Sequence, residues 1–179
     1  MGGLIELTRQ ALPFMTLIGL ILIILLLALL VARAFKAKKR PLTPIQEFFS
    51  RNALRFSFII ALIATLGSLF YSEILGLIPC PLCWYQRILM YPLVLITGTA
   101  LLTKSRNYRA YIYPFTILGA LTAIFHYVLQ VFTIPAACGP GAVTCEVIHF
   151  ASYGFITIPF MSLTAFILIF LLMLLNAKK

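Results

Sequence analysis

The sequence predicts an all-α integral membrane protein, a four-helix transmembrane bundle core plus one extra N-terminal transmembrane helix. Three observations predict it. Hydrophobic residues make up 63% of the 179 and charged residues 10%, with a mean hydropathy of +1.08, whereas a soluble domain carries about 25% charged residues. The apolar residues fall into five runs, each near the roughly 20 residues needed to cross about 30 Å of hydrocarbon. The basic residues, 14 against 4 acidic for a formal net charge of +10, flank those runs. A nucleic-acid partner requires basic residues gathered on a solvated face, so this pattern predicts a lipid bilayer and no nucleic acid.

The first run, Ala11 to Ala32, is followed by Arg33, Lys36, Lys38, Lys39 and Arg40. A secretory signal carries its charge before the apolar run and a small-residue cleavage site after it. Residues 1–35 therefore read as an uncleaved accessory transmembrane helix with its N-terminus outside. Pro13 falls near its start, where a missing N–H is tolerated. Residues 36–53 read as a cytoplasmic linker, polar between Pro41 and Asn52. Within it Ile45, Phe48 and Phe49 recur at helical spacing, which leaves a short interfacial helix open.

Four further spans follow, from about Leu54 to Ile78, Trp84 to Thr103, Tyr111 to Ile134 and Phe155 to Leu175. They make a four-helix bundle over 54–176, with 177–179 as a cytoplasmic tail. Trp84, Tyr85, Tyr108, Tyr111, Tyr113 and Tyr153 cluster at the expected ends, as interfacial aromatics do. With the N-terminus outside, the inside segments take every basic residue except Arg9 and Arg87, in keeping with the positive-inside rule. That orientation puts Cys80 with Cys83 and Cys138 with Cys145 on the extracytoplasmic face, where oxidised thiols persist.

If the third span begins near Pro81, Cys80 occupies the cap position and Cys83 the first turn. Unpaired backbone N–H groups and the macrodipole there favour a thiolate, and a lowered pKa makes Cys83 the expected reactive sulfur. An inert staple is the alternative, although Cys-x-x-Cys closes too small a loop to constrain the unfolded chain much. Arg87 lies four residues past Cys83 on the same helix face. A cation in the first turn opposes the helix dipole and is costly near lipid, so Arg87 is a candidate to stabilise the Cys83 thiolate or to hold a bound acceptor; snorkelling to head groups is the bland reading.

Cys138 and Cys145 flank a Gly-Pro-Gly turn and can close a short exposed ring, either a loop staple or an easily reduced disulfide. Zinc bound by four thiolates is a further alternative. It would block both pairs, and no metal is expected. Glu73, His126 and Gln130 are polar residues inside apolar spans: Glu73 is a candidate partner for Arg87, His126 a candidate proton shuttle or quinone ligand, and packing alone is open for all three. The most oxidising soluble dithiol proteins have potentials near about −120 mV, so reoxidising one takes a stronger oxidant still. No nucleotide-binding glycine motif is present, which points to a lipid-soluble acceptor such as a quinone.

The residues Cys80-Pro-Leu-Cys83-Trp-Tyr-Gln86-Arg87, Met90-Tyr-Pro92, His126-Tyr127, the Cys138/Cys145 loop and Gly154-Phe-Ile-Thr-Ile-Pro159 resemble the DsbB/BdbC family of disulfide bond formation proteins, over about Leu54 to Leu175. The close spacing of the loop pair resembles the BdbC-like branch. The resemblance implies a four-helix bundle in a bacterial cell membrane that reoxidises an extracytoplasmic thioredoxin-like thiol oxidase and passes the electrons to ubiquinone or menaquinone. It further implies that the partner attacks a Cys138–Cys145 disulfide, that Cys80–Cys83 reoxidises that pair, and that Cys83 beside Arg87 donates to the quinone. Glu73, Gln86 and Gln130 are candidate supporting residues apart from that resemblance. The first helix lies outside the family's four-span pattern. Two rivals are a vitamin K epoxide reductase-like enzyme, whose loop pair precedes its Cys-x-x-Cys, and a non-catalytic scaffold braced by disulfides.

Overall fold

A computed structural model describes residues 2–35, 43–104, 107–134, 144–148 and 150–176. Cys138 with its Gly-Pro-Gly turn, the tail at 177–179 and most of the basic cluster after the first helix lie outside them. The chain forms α1 (Gly2–Phe35), α2 (Pro44–Leu69), a π-helical turn (Phe70–Ile74), α3 (Pro81–Thr103), α4 (Tyr108–Phe132), a hairpin of β1 (Ala151–Ser152) and β2 (Ile156–Thr157), and α5 (Ile158–Asn176). All five α-helices are long and apolar enough to cross a membrane.

Part of the stretch read as a linker is helical, because α2 begins at Pro44, ten residues before the expected span. Local chemistry explains the start. The Thr43 hydroxyl accepts from the Gln46 N–H while the Gln46 side chain accepts from the Thr43 N–H, and Pro44 occupies the first helical position, a capping box with a pre-set φ. Two of the polar residues that resembled a solvated linker are buried, and one of them bonds another helix. Gln46 and Ser50 are 3% and 5% exposed, and Gln46 Nε2 donates to the Leu29 carbonyl of α1 at 3.0 Å.

Helices α2, α3, α4 and α5 pack as neighbours in a ring, and α1 lies against α5 and α2. The core is richest on α5, where Phe166, Ile169 and Met173 are fully buried. Glycines permit the close approaches: a Cβ on Gly119 of α4 would collide with the Phe166 ring. Outward faces of α1 to α4 carry exposed Leu, Ile, Val or Phe, whereas α5 exposes none of its residues; the outer surface is the apolar one a bilayer requires. Some hydroxyls in these apolar helices are satisfied within them: Thr97, Thr116 and Thr164 each donate to the carbonyl four residues back, as Thr does in helices.

Two connections position the site. At one end, Arg109 Nη2 donates to the Asn176 carbonyl and side-chain oxygens at 2.6 and 2.9 Å, and Asn176 Nδ2 donates to the Tyr108 hydroxyl, tying α4 to α5. At the other end lie the start of α3, the end of α4 and the hairpin, whose turn uses positive φ at Tyr153 and Gly154. The hairpin leads into α5 at Ile158, three residues later than expected from hydropathy.

Candidate functional site

The start of α3 organises the site. Cys80 is the N-cap, with extended backbone, Pro81 takes the first helical position, and the Cys80 Sγ accepts from the Cys83 N–H at 3.4 Å. Helix geometry alone therefore turns the two sulfurs toward each other, 3.3 Å apart, both as free thiols. The hydrogen bond from the helix start falls on Cys80, where the sequence placed the favoured thiolate on Cys83. A cap side chain reaches back to the third-residue N–H, and at this spacing that amide belongs to Cys83 itself. Hydrogen bonding to the Cys83 side chain pulls the Cys80 thiol well below the ordinary range against the opposing effect of burial, and His126 and the Cys83 N–H add to it.

His126 faces these cysteines from α4. Its Nε2 stands 3.1 Å from the Cys145 carbonyl and 3.6 Å from Cys80 Sγ, and its Nδ1 lies 3.0 Å from Gln86 Nε2. A carbonyl only accepts, which assigns the hydrogen to Nε2; Nδ1 then accepts from the Gln86 amide. Gln130, one turn on, donates to the Val147 carbonyl at 3.4 Å. These bonds hold the short segment containing Cys145 against α4. Cys145 is buried, disulfide-bonded and packed with Cys80 and Leu129. A recess of about 20 Å³, room for one water, is bordered by Cys80, Cys83, His126 and Cys145.

On the opposite side, Cys83 lines a far larger cavity of about 410 Å³, overwhelmingly apolar and walled by α1, α2, α3 and α5. Arg87 is its charged group. Glu73 does not pair with it: Glu73 is exposed and accepts from Ser72, whereas Arg87 donates through Nε to the Ser68 hydroxyl at 3.0 Å and through Nη2 to the Ser68 carbonyl at 3.1 Å. The guanidinium also lies 5.2 Å from the Trp84 ring centroid. The pairing follows from geometry: α2 loosens into its π turn two residues after Ser68, and Glu73, on that turn, points outward. His126 borders the small recess and is not among the residues lining this cavity, because α4 meets α3 on the face away from α2.

Cys80, Cys83 and His126 bring their ligand atoms within 4.8 Å of one another, a set that zinc or another soft cation accepts. The fit is poor at His126, whose Nε2 hydrogen is committed to the Cys145 carbonyl. Two residues of interest escaped the sequence reading. Ser68 sits 19 residues before its partner Arg87, a separation with no periodic signature. Tyr71, on the π turn, is 5% exposed with a hydroxyl that has no partner among the described residues; a tyrosine in an apolar span was the only available signal.

Comparisons with known proteins converge. The family described as disulfide bond formation protein DsbB matches residues 50–176. The chain is 49% identical to the disulfide bond formation protein C of Bacillus subtilis (strain 168) over 128 residues, covering 69% of this chain and 91% of that protein. It is 45% identical to a probable disulfide formation protein of Oceanobacillus iheyensis over 134 residues (73% and 92%) and 36% identical to one of Coxiella burnetii over 124 residues (68% and 84%). No solved structure matches.

Proposed function

Because the chain belongs to the DsbB family of disulfide bond formation proteins, we propose that it oxidises the dithiol of an extracytoplasmic thioredoxin-like partner and passes the two electrons through two cysteine pairs to a membrane quinone. The observation that carries this reading is the position of one dithiol between two different neighbours. Cys80 packs with the disulfide-bonded Cys145, while Cys83 lines an apolar cavity beside Arg87. Thiols meet a disulfide on one side and a site for a lipid-soluble molecule on the other.

The exchange steps balance. A thiolate of the partner attacks the Cys138–Cys145 disulfide to give a mixed disulfide; the partner's second thiol resolves it, leaving the partner oxidised and Cys138 and Cys145 reduced. One of those thiolates opens a Cys80–Cys83 disulfide by attack on one sulfur and release of the other, and the second loop thiol resolves the mixed disulfide, which restores Cys138–Cys145 and leaves Cys80 and Cys83 as thiols. Finally Cys80 and Cys83 close their S–S bond again and give up two electrons and two protons. A quinone held beside Cys83 and Arg87 would supply the two-electron, two-proton acceptor chemistry, so the sum would be partner dithiol plus quinone to partner disulfide plus quinol. Cys83 is the donor on geometry, since it lines the cavity; the Arg87 guanidinium is placed to hold a quinone oxygen. Cys80, the sulfur packed with Cys145, is the one attacked, so Cys83 leaves toward the cavity; His126 Nε2, 3.6 Å from Cys80 Sγ, favours the Cys80 thiolate once the pair is reduced.

In this reading the N-terminus and the cysteine end of the bundle face the outside of a bacterial cell membrane. The test mixes purified protein, a quinone and a reduced thioredoxin-like dithiol and follows quinone reduction. Turnover by the wild type and its loss in Cys83→Ser are expected; a silent wild type sinks the enzyme reading. Arg87→Gln is expected to raise the KM for quinone, and an unchanged KM removes Arg87 from the binding site.

A further inference from the structure

The family match begins at residue 50, after the whole of α1, yet α1 is built into the cavity beside Cys83. Leu12, Thr16, Gly19 and Leu22 line it together with Cys83 and Arg87. Their spacing of three and four residues puts them on one helix face. That face is set deep between α2 and α5: a Cβ on Gly19 would stand 2.9 Å from Thr164 Cγ2, and one on Gly67 of α2 would stand 3.1 Å from a Leu12 methyl. Both ends of α1 are also tied down, by the Gln46 bond to the Leu29 carbonyl and by the Arg9 guanidinium 5.6 Å from the Phe150 ring centroid. From Leu12 to Leu22 the wall runs about 15 Å at 1.5 Å per residue. The ring and the start of the tail of a prenylated molecule fit along that length.

The second observation is Tyr71. Its ring packs on Phe150 at 5.2 Å, so the Arg9, Phe150 and Tyr71 side chains form one stack. Its buried hydroxyl has no hydrogen-bond partner among the described residues, and the residue lines the same cavity. Buried hydroxyls are normally bonded, and a ligand carbonyl inside the cavity would complete this one. The residue is presented by a π turn, an irregularity that recurs at functional sites.

Resting on the quinone reading of the cavity, we propose that the acceptor site of this chain is a five-helix site: α1 encloses the quinone, the Tyr71 hydroxyl donates to a ring oxygen, and the tail runs along Thr16 and Leu22. Without α1 the same surface is a groove of α2 and α5 open to lipid. The helix that the four-span pattern lacks thereby sets affinity for the acceptor and selects for its tail.

Trp84 is the sole tryptophan and stacks on Arg87, so quenching of its fluorescence reports quinone binding without turnover. The purified full chain is titrated with a benzoquinone carrying a decyl chain and with its chain-free parent. Tyr71→Phe, which removes only an unpaired hydroxyl, is expected to keep its melting temperature and to bind both probes about tenfold more weakly, the loss of one hydrogen bond. Thr16→Phe, which fills the tail channel, is expected to weaken the decyl probe about tenfold while leaving the chain-free parent unchanged. If Thr16→Phe fails to fold, Met15→Phe, on the same wall and 49% exposed, carries the same expectation. Saturable quenching in the wild type with wild-type affinities in the variants overturns the five-helix site alone. A wild type that shows no saturable quenching overturns the quinone reading and this proposal with it.

Discussion

Cys80 and Cys83 stand three residues apart, yet one faces Cys145 and the other faces the cavity. The asymmetry comes from the helix start, since the cap residue is bonded back to an amide that its neighbour carries. A depressed folded-state pKa means the Cys80 thiolate persists as pH falls, until the pH passes through that lowered value; the stability contributed by its hydrogen bonds is lost over the same descent. In reduced protein, thiolate ultraviolet absorbance is therefore expected to remain below the pH near 8.5 where a free cysteine titrates, and Cys80→Ser is expected to abolish the acidic component. A single titration at the ordinary thiol range would show that the hydrogen bonds from the Cys83 side chain, His126 and the Cys83 N–H do not hold the Cys80 thiolate. Arg87 makes the complementary point. Its spacing from Cys83 marked it as unusual, and its nearest partner is a serine on another helix that no spacing rule reaches.

Among the elements, α5 decides how tightly the bundle closes, and its contact with α4 depends on a missing side chain. Gly119→Ala adds helix propensity worth about 1 kcal/mol. The new methyl, however, meets the Phe166 ring, which is fully buried and has no free volume to move into. Overpacking of this kind costs about 1–3 kcal/mol, so the clash wins and the variant should melt lower than the wild type in detergent. A higher melting temperature would show that α4 and α5 have room to separate. Helix α2 shows why composition misled: Gln46 is polar because it meets α1, and Thr43 with Gln46 carried a capping box that outweighs the proline-rich look of the stretch.

At the scale of the whole molecule, orientation rests on charge. With the N-terminus outside, a membrane-impermeant thiol reagent added to intact cells is expected to label Cys138 and Cys145 after mild reduction and to miss Lys104→Cys at the opposite end of α3 until the membrane is opened. The reverse pattern would invert the topology and with it the direction of the relay. The relay needs both cysteine pairs at one end of the bundle, and the chain achieves that for Cys145 through contacts from α4: His126 and Gln130 bond the carbonyls of Cys145 and Val147.

The sequence by itself determined the number of spans, their order and the cap at Cys80, because these depend on local length, apolarity and spacing. Only the tertiary structure decided that Arg87 meets Ser68 instead of Glu73, that His126 serves Cys80 and Cys145, and that α1 walls the cavity. The reason is physical. A helix in water shows its inner face by contrast with a polar outer one, whereas a helix in lipid is apolar on both faces, and packing is chosen by small residues and interhelical hydrogen bonds. Gly19, Gly67 and Gly119 carry that information through the shape they leave open, and which neighbours fill it is readable only once the helices are together.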